Sequence, residues 1–230
     1  MTTMNRTTKL ILIISILLCA LQNDSYSQPN NDIAIILKAV GNVKVKKDQR
    51  KDWSAGNRGF SLDSGDIVKT HENSLAAILF TDDKSMLKVR DNSTLAIAGK
   101  RTDNSVSKRL KCALGNFWLN VTQQKSQLLV ETPSGVAAVK GTEFYGIVDS
   151  EGNTVIIVIE GIVQLINKLG EAFVKAGYTG KLTKDGVPQV FTTDPKSIPN
   201  WANDGDTSNE LKFEFQDSDG NKKNLKIFYK

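Results

Sequence analysis

The chain has 230 residues, of which 40% are hydrophobic and 24% are charged, as is ordinary for a folded soluble protein. This length can bury one sizeable core, or one core and a small appendage. The formal net charge is +5, and the densest basic cluster, Lys44–Lys51, lacks interleaved aromatic residues. We therefore interpret this cluster as a solvated face with at most a weak attraction to anionic envelope polymers, and we exclude nucleic acid as a partner.

Residues 1–27 have the layout of a secretory signal peptide. Arg6 and Lys9 precede an apolar run, Leu10–Leu21, which is shorter than the roughly 20 residues that a membrane-spanning helix needs. Ser25 and Ser27 then place small residues at the −3 and −1 positions of a cleavage point before Gln28. We therefore predict an exported protein that has no stable membrane insertion after cleavage.

Two alternatives to a cleaved signal peptide remain. The segment could stay as a signal anchor, or Cys19 could be lipidated, although Leu18 is bulkier than the small residue that such processing requires. Cleavage before Gln28 would leave Cys112 as the only cysteine, so no intramolecular disulfide could form. Cys112 lies in an apolar-alternating stretch, Leu110–Leu114, which indicates a buried structural thiol.

From residue 33 onward, the sequence is typical of an all-β fold. Short runs of β-branched and aromatic residues are separated by Gly, Asn, Asp and Pro, and helical periodicity is scarce. So many short strands predict an antiparallel β-sandwich, roll or barrel, of which we favour the sandwich or roll. The predicted strands are Ile33–Val40, Val43–Lys46, Ile67–Thr70, Leu75–Phe80, Ser85–Val89, Thr94–Ala98, Phe117–Val121, Leu128–Glu131, Glu143–Val148, Thr154–Glu160, Ile162–Ile166 and Ala172–Lys175.

The composition changes near the C-terminus. We predict one all-β domain over residues 28–193, a Pro- and Asn-rich linker over 194–209 and a C-terminal β-hairpin over 210–230. The hairpin is predicted because Leu211–Phe215 and Leu225–Tyr229 both alternate cleanly. Two strands alone are marginally stable in water, so we expect the hairpin to dock on the main domain or to pair with another molecule.

The sequence offers little catalytic or metal-binding chemistry. His71 is the single histidine, and Leu75 occupies the position where a His-Glu-x-x-His zinc motif would need its second histidine. A pair of His71 and Cys112 would lack recognisable local chemistry. Asp217–Gly220 resembles the start of a calcium loop, but Lys222 follows, which favours a hairpin turn. We therefore expect no enzymatic activity, no cofactor and no metal.

Two stretches of the sequence carry a family resemblance. The first has Trp53 and Gly59 followed by Leu62–Thr70, and the second, more specific one is Val130–Phe144. Together they resemble the FecR-like domain, named for the periplasmic part of the ferric-citrate regulator, over about residues 39–182. Glycine and proline in these stretches shape turns, so we interpret the motifs as architectural.

This resemblance implies a location in the periplasm or outer cell envelope of a Gram-negative-type bacterium. In the regulators, a membrane helix joins this domain to a cytoplasmic arm that governs a sigma factor. Only nine residues precede the apolar segment here, too few for such an arm. We therefore favour a non-enzymatic binding or scaffolding module whose partner is an envelope protein or glycan. The alternative is a sensor component of a FecR-type relay that controls a sigma factor.

Three tryptophans are the candidate partner contacts: Trp53, Trp118 and Trp201. Trp118 alternates with Phe117 and Leu119, which we expect to point inward, so its side chain should lie on an outer face. Trp53 and Trp201 have polar, loop-like surroundings. Exposed aromatic side chains commonly bind a protein partner or a sugar ring. The competing interpretation is that each tryptophan covers an end of the core.

Overall fold

The computed structural model describes residues 32–48, 50–102, 105–122 and 127–200 and the two strands 210–216 and 222–228. These residues confirm the all-β prediction, and their one helix is the short 3-10 helix Pro195–Ser197. None of the described helical residues forms a segment long and apolar enough to cross a membrane. The strands are β1 Ala34–Val40, β2 Val43–Lys46, β3 Trp53–Ala55, β4 Ser61–Leu62, β5 Ile67–Thr70, β6 Leu75–Phe80, β7 Met86–Val89, β8 Thr94–Thr102, β9 Ser105–Asn120, β10 Leu128–Thr132, β11 Gly135–Val139, β12 Glu143–Val148, β13 Thr154–Glu160, β14 Ile162–Asn167, β15 Gly170–Lys175, β16 Tyr178–Leu182, β17 Gln189–Thr192, β18 Glu210–Gln216 and β19 Lys222–Phe228.

Strands β1–β17 form one hydrogen-bonded sheet that is arranged as two layers. Layer 1 has the strand order β4-β1-β6-β7-β9-β12-β13-β16-β17. Layer 2 has the order β3-β2-β5-β8-β9-β10-β11-β14-β15. The long strand β9 belongs to both layers, and its pairing with β10 is the one parallel pairing among the described strands.

The crossing of β9 from one layer to the other requires a glycine. Gly115 has a φ of +121°, in the region that favours glycine, and a Cβ atom there would lie 2.0 Å from Oγ of Ser93. The Ser93 hydroxyl accepts a hydrogen bond from the backbone N–H of Asn116 at 2.9 Å, so it occupies the space that a side chain would need. A residue other than glycine would therefore push β8 and β9 apart at the crossing.

The inward side chains of both layers form one core. Strand alternation places every second side chain of each layer inward, and these side chains join a single continuous cluster. Phe117 of β9 and Phe144 of β12 are fully buried at its centre and meet edge to face, with ring centroids 6.1 Å apart. Gly146 leaves room for the Phe117 ring, because a Cβ atom at 146 would lie 2.1 Å from Cζ of Phe117.

Strands β18 and β19 pair with each other in an antiparallel hairpin from Glu210↔Phe228 to Gln216↔Lys222. Docking of this hairpin on the main domain stays a prediction. Residues 217–220, the calcium-like sequence, and the signal-peptide residues 1–27 lie outside the described residues.

The close contact between Gly146 and Phe117 predicts that adding one methyl group at position 146 destabilises the protein. We expect Gly146→Ala to lower the free energy of unfolding by about 1–3 kcal/mol, because the Phe117 ring must leave its preferred position. Gly170→Ala is the matched control, since the nearest atom to a Cβ there is 3.8 Å away. Urea unfolding of both variants measures the difference, and equal stabilities would contradict this packing.

Candidate partner-binding surfaces

The first family stretch is held in place by a buried carboxylate. Asp66 is 1% exposed and accepts hydrogen bonds from the backbone N–H of Asp63 at 2.8 Å and of Asp48 at 3.2 Å. Nζ of Lys47 donates to Asp66 at 2.7 Å and to Asp63 at 2.8 Å. Burial of Lys47 opposes its charge, but these hydrogen bonds outweigh burial and raise the pKa of the ammonium group. The cluster fixes the loop between β4 and β5, which supports the architectural interpretation.

The second family stretch is also fixed from within. Its turn between β10 and β11 is closed by three hydroxyl groups, since Thr154 Oγ1 lies 2.8 Å from the hydroxyl oxygens of both Thr132 and Ser134. Thr132 in turn donates to the carbonyl oxygen of Gly135 at 3.1 Å. Because these hydroxyls bond one another, the motif serves the turn rather than a ligand.

A third polar cluster was not indicated by the sequence. Lys108 of β9 is 3% exposed, and its Nζ donates to both carboxylate oxygens of Asp82, at 3.1 and 3.0 Å, and contacts Asp83. Burial alone would raise the pKa of Asp83, but the hydrogen bonds from Lys108 and Ser85 outweigh it and lower that pKa. This ion cluster ties the turn between β6 and β7 to β9.

The surroundings of Cys112 do not favour a reactive pair with His71. The Cys112 side chain is buried in the core opposite Leu95, and burial raises the pKa of the thiol to about 12. The thiol is therefore protonated and poorly nucleophilic at neutral pH. His71 lies at the end of β5, where its backbone N–H donates to the carbonyl oxygen of Asn42 at 3.1 Å. Within the described ranges, no group of three or more His, Cys, Asp or Glu residues could hold a metal ion.

Two of the predicted tryptophan contacts differ in their exposure to solvent. Trp53 is 42% exposed on the edge strand β3 of layer 2, with Nζ of Lys46 5.8 Å from its ring centroid. Trp118 lies on the outer face of layer 1, as its alternation with Phe117 and Leu119 predicts, but is only 8% exposed. Trp201 lies outside the described residues. Partner binding by these tryptophans stays a prediction.

Sequence reasoning missed several exposed apolar side chains near the edges of the two layers. They lie where the edge strand β15 of layer 2 meets β16 and the edge strand β17 of layer 1. Exposed apolar groups that cluster in this way mark surfaces for other proteins. We call this surface the apolar end, and its residues are Ile162, Leu169, Phe173, Tyr178, Val187 and Val190.

The apolar end also offers backbone hydrogen-bonding groups. In the described structure, β15 pairs on one side with β14, and β17 pairs on one side with β16. The outer N–H and C=O groups of such edge strands can accept an additional strand from a partner. One apolar residue of this surface can be recognised from the sequence. On the outer face of β15, Phe173 lies between the charged residues Glu171 and Lys175.

The buried ion cluster predicts a strong effect of removing its lysine. We expect Lys108→Met to lower the free energy of unfolding by about 3–5 kcal/mol near neutral pH, because it leaves Asp82 and Asp83 without their buried cation. Lys111→Met on the same strand is the control: this lysine is 60% exposed, so its loss should cost less than about 0.5 kcal/mol.

The loss of stability caused by Lys108→Met should be smaller at acid pH. The pKa of Asp83 is lower in the folded than in the unfolded chain, so the wild type gains stability from this group above the unfolded-state pKa. That gain is lost as the pH falls through the folded-state pKa, whereas the variant can protonate its carboxylates. Urea unfolding as a function of pH measures the effect, and a cost of Lys108→Met that does not fall in acid would contradict it.

Comparisons with known proteins agree with the motifs. Residues 66–164 match the sequence family described as "FecR protein". Two crystal structures of a "putative anti-sigma factor" from Parabacteroides distasonis ATCC 8503 share the fold with a TM-score of 0.51 and 12% sequence identity each. The alignments cover 67% and 65% of this chain and 70% and 68% of the solved chains.

A search of curated proteins finds no significant match to this chain. The family match therefore rests on the segment that begins at Asp66, the buried carboxylate of the first stretch, and includes all of the second stretch, Val130–Phe144. The prediction of a FecR-like domain from the two motif stretches is confirmed by this match over residues 66–164.

Proposed function

We propose that the chain is the envelope-side component of a FecR-type signalling relay that controls a sigma factor. The family match over residues 66–164 carries this proposal. The fold shared with a protein described as a putative anti-sigma factor supports it. These comparisons favour the relay over the stand-alone binding or scaffolding module that we preferred from the sequence alone.

The component would act by binding a protein rather than by catalysis. The apolar end supplies the surface for this role, with Phe173 57% exposed and Val187 58% exposed. Aliphatic side chains outnumber aromatic rings there, which favours a protein partner over a glycan, since sugars usually stack on aromatic rings. The unreactive Cys112 and the internally bonded polar clusters support a role without an active site.

We also infer the location of the component from its N-terminal residues. We propose export through the signal peptide at residues 1–27 and residence in the periplasm or outer envelope, without a cofactor. The mature protein would rely on packing, because its only cysteine is the buried Cys112.

Deleting the gene tests the relay. We expect the deletion to change the transcripts that depend on one extracytoplasmic sigma factor by several-fold, and the wild-type gene to restore them. Phe173→Glu should not restore them, because a charge in place of this exposed apolar side chain opposes burial against a partner. Lys175→Glu places the same charge on the same face of the same strand and should restore the transcripts.

Two outcomes separate the hypotheses. Unchanged transcripts after deletion would overturn the relay, and co-purification of an envelope protein with the wild type but not with Phe173→Glu would then support the binding module. Equal behaviour of Phe173→Glu and Lys175→Glu would exclude the apolar end as the contact surface while leaving the relay itself in place.

Mass spectrometry of the protein from its native envelope tests export. We expect an N-terminus at Gln28, because the small residues before it fit signal peptidase. A retained Met1 would indicate a membrane-tethered sensor, and a lipid-modified N-terminal Cys19 would indicate lipoprotein processing.

A further inference from the structure

A continuous row of side chains crosses the outer face of layer 1. Cross-strand register connects Ala77, Lys88, Trp118, Tyr145, Ile157, Thr179 and Phe191, one residue from each of β6, β7, β9, β12, β13, β16 and β17. We call this set the outer row. It points away from layer 2, because its neighbours along each strand, such as Phe117 and Leu119, belong to the core between the layers.

Most of the outer row is buried although it lies on an outer face. Lys88 is 1% exposed, Trp118 is 8% exposed, and Phe191 at the end of the row is 48% exposed. Nζ of Lys88 lies 5.1 Å from the centroid of the Trp118 ring, and Nε1 of Trp118 donates to Glu143 at 3.1 Å. Solvated outer faces of antiparallel sheets usually carry exposed polar side chains, so this burial indicates a face that is covered.

The outer row contains its own apolar cluster, separate from the core. Trp118, Tyr145 and Ile157 are buried together, and the partly buried Met86, Ile147 and Val155 pack against them. All six side chains come from the same face of neighbouring strands of layer 1. Within the described ranges, no residue of layer 2 takes part in this cluster.

We propose that the C-terminal hairpin β18–β19 docks on this cluster as a third layer. The hairpin register places Leu211 opposite Ile227 and Phe213 opposite Leu225, so one face of the hairpin is apolar in sequence. Two strands need a second apolar surface to be stable in water. The outer row offers such a surface, and its aromatic residues suit a sheet-on-sheet contact.

The length of the chain fits this intramolecular contact. Strand β17, which carries Phe191 of the outer row, ends at Thr192, and the described chain then continues to Asn200. The nine residues 201–209 can span up to about 30 Å. From β17 to β9 there are four strand-to-strand steps, a distance of about 19 Å.

A tethered hairpin also has an advantage over a second copy of the chain. A short covalent connection gives an effective concentration in the millimolar range, which exceeds that of a free molecule in dilute solution. We therefore assign the outer row to the hairpin of the same chain. The inference does not depend on the proposed signalling role.

Trp118 fluorescence tests the docking. Phe replaces Trp53 and Trp201 in the full mature chain, so that Trp118 is the only tryptophan. Phe213→Asp on the apolar face of β18 should shift its emission to the red and increase quenching by acrylamide several-fold. Lys212→Asp places the same charge on the opposite face of the same strand and should leave both values unchanged.

The Cys112 thiol serves as the folding control, because it stays unreactive towards thiol reagents while the core is intact. If Phe213→Asp exposes Cys112, the pair Leu225→Asp and Lys226→Asp on β19 repeats the test, and only variants in which Cys112 stays unreactive are compared. Trp118 that is equally protected in the apolar-face and polar-face variants would overturn the proposal. Protection that disappears on dilution of the unsubstituted chain would also overturn it, in favour of pairing between two molecules.

Discussion

The fold depends on a change of face within β9. In its first part, Leu110 and Cys112 point into the core from layer 2; in its last part, Phe117 and Leu119 point into the same core from layer 1. A regular strand cannot do this, because its inward positions would all be even or all be odd. The register with β8 skips one residue, Ala113, so the alternation changes parity just before Gly115.

This bulge allows one strand to pair in both layers, and the packing of the core depends on it. Phe117 reaches Phe144 because β9 pairs with β12 after the crossing, and Gly146 of β12 admits the Phe117 ring. Before the crossing, β9 brings Lys108 to Asp82 and Asp83. The apolar core and the buried ion cluster thus both depend on the one strand that the two layers share.

Much of the fold could be predicted from alternation, and the failures have physical causes. Strands rich in β-branched residues, such as β13, were predicted with correct bounds. Strand β11, Gly135–Val139, was missed because Ala137 and Ala138 have little strand propensity and suggested only close backbone approach. The first part of β9 is rich in polar residues, and its parallel pairing with β10 depends on residues distant in sequence.

The candidate surfaces were less predictable than the fold. Alternation placed Trp118 on an outer face, but whether that face is covered depends on contacts beyond its own sheet. The apolar end was missed because its residues come from several edge elements and become neighbours only when β15 and β17 meet. Exposure of an apolar side chain is a property of the assembled layers, which a single strand does not contain.

The sharing of β9 also constrains the order in which the protein can fold. Layer 1 joins β6 and β7 to β12 and β13 only through β9, and layer 2 joins β8 to β10 through the same strand. A chain that emerges from its N-terminus therefore cannot complete either layer until Asn120 is available. Contacts so distant in sequence slow folding, and β1–β8 must wait with one edge unpaired. An N-terminal segment that ends before Asn120 therefore exposes unpaired strand edges, which favour aggregation.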